Sequence, residues 1–177
     1  MISLILRNRL LGLFLITISS FACTKNQDEI LFKFEYDQFI VVPGGLNTLE
    51  TYSFVLRELP TNYKALLNTF QVDTAAITAI KPGAIRLSDE FNQFDFSRIE
   101  KISLLMSKVG FQNEVEIGYL EEVPYSSANI LQLFPTLVDT RTITSQEKFN
   151  VKLKIKLRSF LTNTTNMRLR FTLNAIR

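Results

Sequence analysis

The stretch VKLKIKLR, residues 151–158, alternates apolar and basic residues without a break. A second stretch, LRFTLNA at residues 169–175, alternates in the same way, and Arg168 and Arg170 fall on its polar side. Strict alternation with a period of two predicts strands that bury one face and expose the other. The polar sequence TNTTN at residues 162–166 lies between them, and its turn-forming residues predict that the two strands form an antiparallel hairpin.

Weaker alternation elsewhere predicts further strands at residues 31–42, 51–59, 84–88, 99–109, 114–123 and 130–134. Lys81-Pro82-Gly83 predicts a turn, and a change to helical period over residues 60–70 predicts one or two short helices. About seven or eight short strands indicate an all-β fold. We expect an antiparallel β-sandwich, immunoglobulin-like or jelly-roll-like, with a small β-barrel as the alternative.

The residue types narrow the chemistry that the protein can perform. The chain has no histidine and a single cysteine, Cys23. These counts exclude Cys/His zinc sites and catalytic triads that use histidine, and they exclude an internal disulfide. Phosphate-binding loops, nucleophile elbows and known metal motifs are also missing from the sequence. We therefore expect a protein without a cofactor and without catalytic activity.

The first 23 residues have the arrangement of a secretion signal. Arg7 and Arg9 form a basic start, residues 10–19 (LLGLFLITIS) form a short apolar run, and Ser20-Phe21-Ala22-Cys23 follows. The apolar run is shorter than the roughly 20 residues that a membrane-spanning helix needs. An uncleaved N-terminal anchor helix is the alternative interpretation of this segment.

This leader resembles the type II signal peptide of bacterial lipoproteins. Ala22 and Cys23 fit the family's cleavage box, whereas Ser20 and Phe21 depart from it in a way that resembles lipoproteins of Bacteroidota. The resemblance implies that residues 1–22 are removed and that Cys23 is acylated and anchors the chain in the lipid bilayer. Residues 23–29 would then be a polar tether and residues 30–177 a single domain. The implied location is the bacterial envelope, at the periplasmic or the surface face of the outer membrane.

Charge is distributed unevenly along the chain. The formal net charge is +3, but residues 148–177 contain 8 basic residues and no acidic one. Six of these basic residues form a candidate patch for an anionic glycan or an acidic envelope protein: Lys152, Lys154, Lys156, Arg158, Arg168 and Arg170. The competing interpretation is that they pair with acidic residues on neighbouring strands, such as Glu114 and Glu116 or Glu35 and Asp37. Nucleic acid is not an expected partner for an exported protein.

Two other groups of residues could carry function. Asp89, Glu90 and Asp95, with Asn92, form an acidic loop that is a weak calcium candidate, because calcium prefers clustered oxygen ligands. Tyr63, Tyr119 and Tyr125 are the aromatic residues that a sugar site could use. Two exposed aromatic side chains beside a groove would indicate glycan binding, and a close carboxylate pair in a pocket would indicate a hydrolase.

The expected function is a non-catalytic binding or scaffold role in the envelope, with another envelope protein as the partner. A surface glycan-binding module is the alternative, and a carboxylate-based hydrolase is the third and least favoured hypothesis.

Overall fold

Alternating sequence becomes strand throughout the body of the protein. The computed structural model describes residues 28–91, 94–125 and 129–177. The strands of this part of the chain are β1 (Ile30–Val42), β2 (Thr51–Pro60), β3 (Ala79–Asp89), β4 (Ile99–Lys108), β5 (Val115–Leu120), β6 (Ile130–Pro135), β7 (Lys148–Leu157) and β8 (Thr165–Ile176). The helices are α1 (Tyr63–Phe70) and α2 (Arg141–Thr144), with 3₁₀ turns at Thr74–Ala76 and Phe96–Arg98. The prediction of an all-β fold with short helices is confirmed.

All eight strands belong to one antiparallel sheet with the order β1-β8-β3-β6-β5-β4-β7-β2. The sheet curls until its two edge strands, β1 and β2, approach each other, so it is a nearly closed barrel. The shortest strand pairing within the sheet is between β5 and β6, where the paired residues are Gly118 with Pro135 and Tyr119 with Phe134. A single curled sheet agrees with the small-barrel alternative rather than with two separate packed sheets.

The barrel is filled by the apolar side of each alternating strand. Val151, Leu153 and Ile155 of β7 are at most 1% exposed, as are Leu169, Phe171 and Leu173 of β8, which have the same spacing. The side chain of Tyr36 joins the two groups, because its ring stacks on Phe171 at 4.7 Å and meets Phe149 edge-on at 5.2 Å. Each such side chain contributes about 1.5–3 kcal/mol when it is removed from water.

The predicted hairpin between β7 and β8 is wrong. β7 lies between β4 and β2, whereas β8 lies between β1 and β3. The polar connection between them therefore crosses an end of the barrel, where Leu161 pairs with Leu46. Both strands are buried on their inner face and have hydrogen-bonding partners on both edges, which leaves no edge for them to pair with each other.

The predicted turn at Lys81-Pro82-Gly83 is also wrong, because these residues continue β3. The register of β3 against β8 shifts between Pro82 and Ile85, which is the signature of a bulge. Proline has no backbone N–H, so it is tolerated in a strand where the ladder is interrupted. A Cβ on Gly83 would lie 2.4 Å from Oγ1 of Thr172, and glycine permits this close approach.

The seam between β1 and β2 is partly covered by α1. Phe70 stacks on Phe32 at 5.7 Å, and Tyr63 stacks on Phe34 at 6.2 Å. Between α1 and the start of β1 remains a groove of about 600 Å³ whose lining is mainly apolar. The helix thus protects part of a strand edge that would otherwise be open to other chains.

The two ends of the barrel differ, and we name them by their residues. The tether end contains Asp28 and Glu29, α1, α2 and the connections at 61–78, 109–114 and 136–147. The loop end contains the connections at 43–50, 90–98, 121–129 and 158–164, of which the structure describes all but residues 92–93 and 126–128.

Replacing Phe171 with alanine should lower the free energy of unfolding by about 3–5 kcal/mol, because it removes a ring that is 1% exposed in the middle of the sheet. Phe160→Ala is the matched control, since Phe160 is 52% exposed, and its change should stay within about 0.5 kcal/mol. Guanidinium denaturation of both variants measures the difference. Equal losses would contradict the assignment of Phe171 to the core.

Candidate functional site

Lys152, Lys154 and Lys156 point outward from β7, as predicted from the alternation. Their flanking residues on β2 are Val55, Ser53 and Thr51, and those on β4 are Leu105, Ser103 and Lys101. The three lysines therefore stand in one column on the outer wall, about 7 Å apart.

Acidic residues neutralise this column. Glu114 forms ion pairs with Lys152 and, at 4.0 Å, with Lys154. Lys156 Nζ lies 3.3 Å from a carboxylate oxygen of Glu100. Lys101, which lies opposite Lys156, pairs with Glu121. These exposed pairs each contribute a few tenths of a kcal/mol to about 1 kcal/mol, but together they cancel most of the positive field of the column.

Arg158 has a structural role at the loop end. Its guanidinium donates hydrogen bonds to the backbone oxygens of Ser97, at 2.7 Å, and Val123, at 2.8 Å. The same group lies 3.9 Å above the ring centre of Tyr125, which is a cation–π contact. Arg158 therefore ties three loops together and has few donors left for a ligand.

Arg168 and Arg170 lie on a different wall. They project from β8 and share the carboxylate of Asp37 on β1. Because β8 and β7 are not neighbours in the sheet, the six basic residues do not form one patch. The grouping predicted from the sequence depended on the hairpin and is wrong for the same reason.

Two acidic residues of the loop at 89–95, Asp89 and Asp95, cap local backbone. A carboxylate oxygen of Asp89, which is 6% exposed, accepts a hydrogen bond from the amide of Phe94 at 3.0 Å. Asp95 accepts one from Ser97 N at 2.9 Å and begins the 3₁₀ turn. Asn92 lies outside the described residues. Within the described ranges, no group of three or more acidic or cysteine side chains could hold a metal ion.

A polar groove of about 280 Å³ opens beside these aspartates at the loop end. One wall is the connection from Leu161 to Asn166, which supplies hydroxyl and amide groups, and Arg98 forms part of the other. Phe91 lines the groove and is 63% exposed, while Phe160 is 52% exposed and its carbonyl accepts a hydrogen bond from Arg98. One exposed aromatic ring, that of Phe91, therefore lines the groove, and exposed Phe160 precedes Leu161 of its wall in the chain.

The carboxylates of this groove are poorly suited to acid catalysis. Hydrogen bonds from Ser97 lower the pKa of Asp95, so it does not hold a proton at neutral pH. Asp89 is buried and already accepts the Phe94 amide. A glycoside hydrolase needs one carboxyl group that stays protonated until it donates to the leaving group. The groove is better suited to binding than to hydrolysis.

Of the aromatic residues singled out from the sequence, Tyr125 is 73% exposed and stacks on Arg158. Tyr63, the first residue of α1, packs on Phe34, and the ring of Tyr119 is tilted against that of Phe134. The sequence did not single out Phe91, Phe160 and Arg98, which lie in irregular loops where periodicity gives no information. The sequence signal of Phe91 and Phe160 is a large apolar side chain in a connection rich in polar residues, and Arg98 has no such signal.

Comparison with known proteins adds no family to this description. A scan against protein-family models and a search of curated proteins found no match to the chain. Cys23 and the rest of residues 1–27 lie outside the described residues. Among residues 28–91, 94–125 and 129–177, no helix combines the length and the apolar character needed to cross a membrane.

Asp37 gives a pH-dependent test of the β1–β8 wall. The hydrogen bonds and charges of Arg168, with those of Arg170, lower its pKa. Because folding lowers this pKa, the stability that it provides is complete above the unfolded value, about 3.9, and is lost as pH falls through the lower folded value. Asp37→Asn should therefore cost up to about 1 kcal/mol at pH 7, since the pair is partly exposed.

The free energy of unfolding of Asp37→Asn should be lower than that of the natural protein at pH 5, and this difference should shrink as pH falls to 2. Asp37 becomes protonated over about two pH units within this range. Denaturant titrations at several pH values measure the difference. Glu50→Gln removes the same charge from a residue that forms no ion pair with any described residue, so it should show no such trend. A deficit that does not change with pH would contradict the ion pair.

Proposed function

We propose that the protein is a non-catalytic binding lipoprotein of a bacterial envelope, anchored by acylated Cys23, that presents its loop end to a partner. The observation that carries the proposal is that ion pairs hold the first described residues, Asp28 and Glu29, against one end of the barrel. Lys81 pairs with Asp28 at 2.8 Å, and Arg177 pairs with Glu29 at 3.4 Å and donates its amide to the Glu29 carbonyl.

Residues 23–27 are the part of the tether that separates Cys23 from these contacts in the sequence. Five extended residues reach at most about 18 Å. The acylated residue would therefore hold the tether end of the barrel near the bilayer, and the loop end, on the far side, would face away from it. The chain would be anchored to its membrane by lipid alone, at the periplasmic or the surface face of the outer membrane.

The loop end has the features of a recognition surface. It is built from four irregular connections on a rigid barrel, an arrangement that proteins commonly use for binding. Leu49 and Phe91 are exposed there, at 88% and 63%, and Phe91 lines the polar groove. By contrast, the outer column of lysines is neutralised by its own acidic partners. An envelope protein that contacts exposed apolar and aromatic side chains is the partner that this surface fits best.

Glycan binding is the second candidate function. It is favoured by the exposed ring of Phe91 in a groove lined by hydroxyl, amide and guanidinium groups, and by exposed Phe160, which adjoins the wall of that groove in the chain. Sugar rings stack on aromatic side chains and offer hydroxyls to such polar groups.

The anchor is tested by replacing Cys23. Cys23→Ala should abolish incorporation of a clickable fatty acid and delay removal of the leader, because the cysteine sulfur is the atom that is acylated. Ser20→Ala, which keeps the cysteine, is the matched control and should still be labelled. Labelling that persists in Cys23→Ala would contradict the lipoprotein assignment.

The recognition surface is tested by photo-cross-linking in native envelopes. A benzophenone amino acid at position 160, at the loop end, should give a discrete cross-linked product. The same group at position 137, which is 86% exposed at the tether end, should label lipid. A protease-sensitive product at position 160 supports a protein partner, and a periodate-sensitive one supports a glycan. Identical products at both positions, or none at position 160, would contradict the proposed orientation.

A further inference from the structure

A row of polar side chains crosses four strands on the outer wall of the barrel. Asp37 of β1 is opposite Arg170 of β8, which is opposite Arg86 of β3, which is opposite Gln132 of β6. Arg86 and Arg170 are thus direct cross-strand neighbours, and such pairs have Cα atoms about 4.5–5.5 Å apart. Like charges directly opposite each other destabilise a sheet.

The single carboxylate in this row, that of Asp37, contacts arginines of β8 and does not contact Arg86 of β3. Asp37 accepts hydrogen bonds from Nε of Arg168, at 2.7 Å, and from Nε of Arg170, at 3.2 Å. Arg86 is exposed, and its guanidinium forms no hydrogen bond or ion pair with any residue that the structure describes. All the donors of Arg86, and the Nη groups of Arg170, are therefore available to a ligand.

A depression of about 550 Å³ lies at these two arginines. Its lining includes Ala84, whose small side chain leaves space in front of Arg86, and the hydroxyl of Thr172. Glu35, which is opposite Thr172 in the register, and Asp37 also line it. The depression therefore combines two guanidinium groups with a hydroxyl and two carboxylates, of which Asp37 already accepts hydrogen bonds from Arg168 and Arg170 and Glu35 can accept hydrogen bonds from sugar hydroxyls.

We propose that this depression binds an acidic sugar, with its carboxylate held by Arg86 and Arg170 and its hydroxyls by Thr172 and Glu35. Guanidinium groups bind planar carboxylates in a bidentate manner, and the same wall already holds one carboxylate, Asp37, in this way. The added negative charge would relieve the repulsion between the two arginines. The site extends the proposed function to a second surface and does not depend on acylation of Cys23.

A phospholipid headgroup carries a similar anion but fits this place less well. The row lies on the side wall, several residues along β3 and β8 from Lys81 and Arg177 at the tether end. The depression also offers hydroxyl and carboxylate groups around the arginines, not an apolar surface for acyl chains.

The test uses the full chain in neutral detergent, titrated with trigalacturonate and followed by calorimetry. Binding should be saturable, and the fully methyl-esterified trisaccharide, which has the same rings without the charge, should bind at least about tenfold more weakly. Arg86→Gln should also weaken trigalacturonate binding at least about tenfold, as expected for loss of a charge-assisted hydrogen bond. Because Arg86 contacts no described side chain through polar bonds, this variant should fold normally.

Lys64→Gln is the matched control, since Lys64 is exposed on α1 and forms no ion pair with the described residues. Its affinity for trigalacturonate should stay within about twofold. Absence of saturable binding, or equal weakening in Lys64→Gln and Arg86→Gln, would overturn the site. Tighter binding of glycerol 1-phosphate than of trigalacturonate would overturn its assignment to an acidic sugar.

Discussion

The pairing of the last strand with both the first and the third is the constraint on which the rest of the structure depends. β8 pairs with β1 along its whole length on one edge and with β3 from Met167 to Ile176 on the other. This brings the two ends of the domain together, so that Arg177 meets Glu29 and Lys81 meets Asp28. The same pairing places Phe171 against Tyr36 at the centre of the barrel. Because these contacts join distant parts of the chain, closing them has an entropic cost that burial of the strand must offset.

That pairing also decides which charges meet. On the wall formed by β4, β7 and β2, each lysine of β7 has an acidic residue within reach, and the column is largely self-neutralised. On the wall formed by β1, β8 and β3, Asp37 forms ion pairs with Arg168 and Arg170, and Arg86 forms none with the described residues. The two walls have similar sequences of alternating basic residues, yet on the second the guanidinium of Arg86, directly opposite Arg170, has no hydrogen-bond or ion-pair partner among the described residues. Net charge along the sequence does not distinguish them.

Local structure could be predicted from the sequence because alternation is a local property. The apolar positions of β7 and β8 point inward as expected, and Lys152, Lys154 and Lys156 share the outer face. Pairing between strands could not be predicted, since TNTTN is equally compatible with a tight hairpin and with a connection across the barrel. Lys81-Pro82-Gly83 looked like a turn because a bulge uses the same residues.

The candidate sites were less predictable than the fold. Arg168 and Arg170 were identified, but their neighbour Arg86 was missed, since it is 84 residues from Arg170 in the sequence and becomes its neighbour only through the sheet. The loop-end groove was missed in part because Phe91 and Phe160 belong to irregular connections. The lipid anchor was predicted from the leader alone and stays a prediction for Cys23.

Cross-strand nuclear Overhauser effects between backbone protons measure the position of β8 most directly. The structure predicts contacts that link Thr172 with Glu35 and Arg170 with both Asp37 and Arg86. Observing these contacts in the labelled full chain would establish the sheet order that brings Arg86 beside Arg170. Contacts between β8 and β7 in their place would show that the two strands form a hairpin, and the account of both walls would be contradicted.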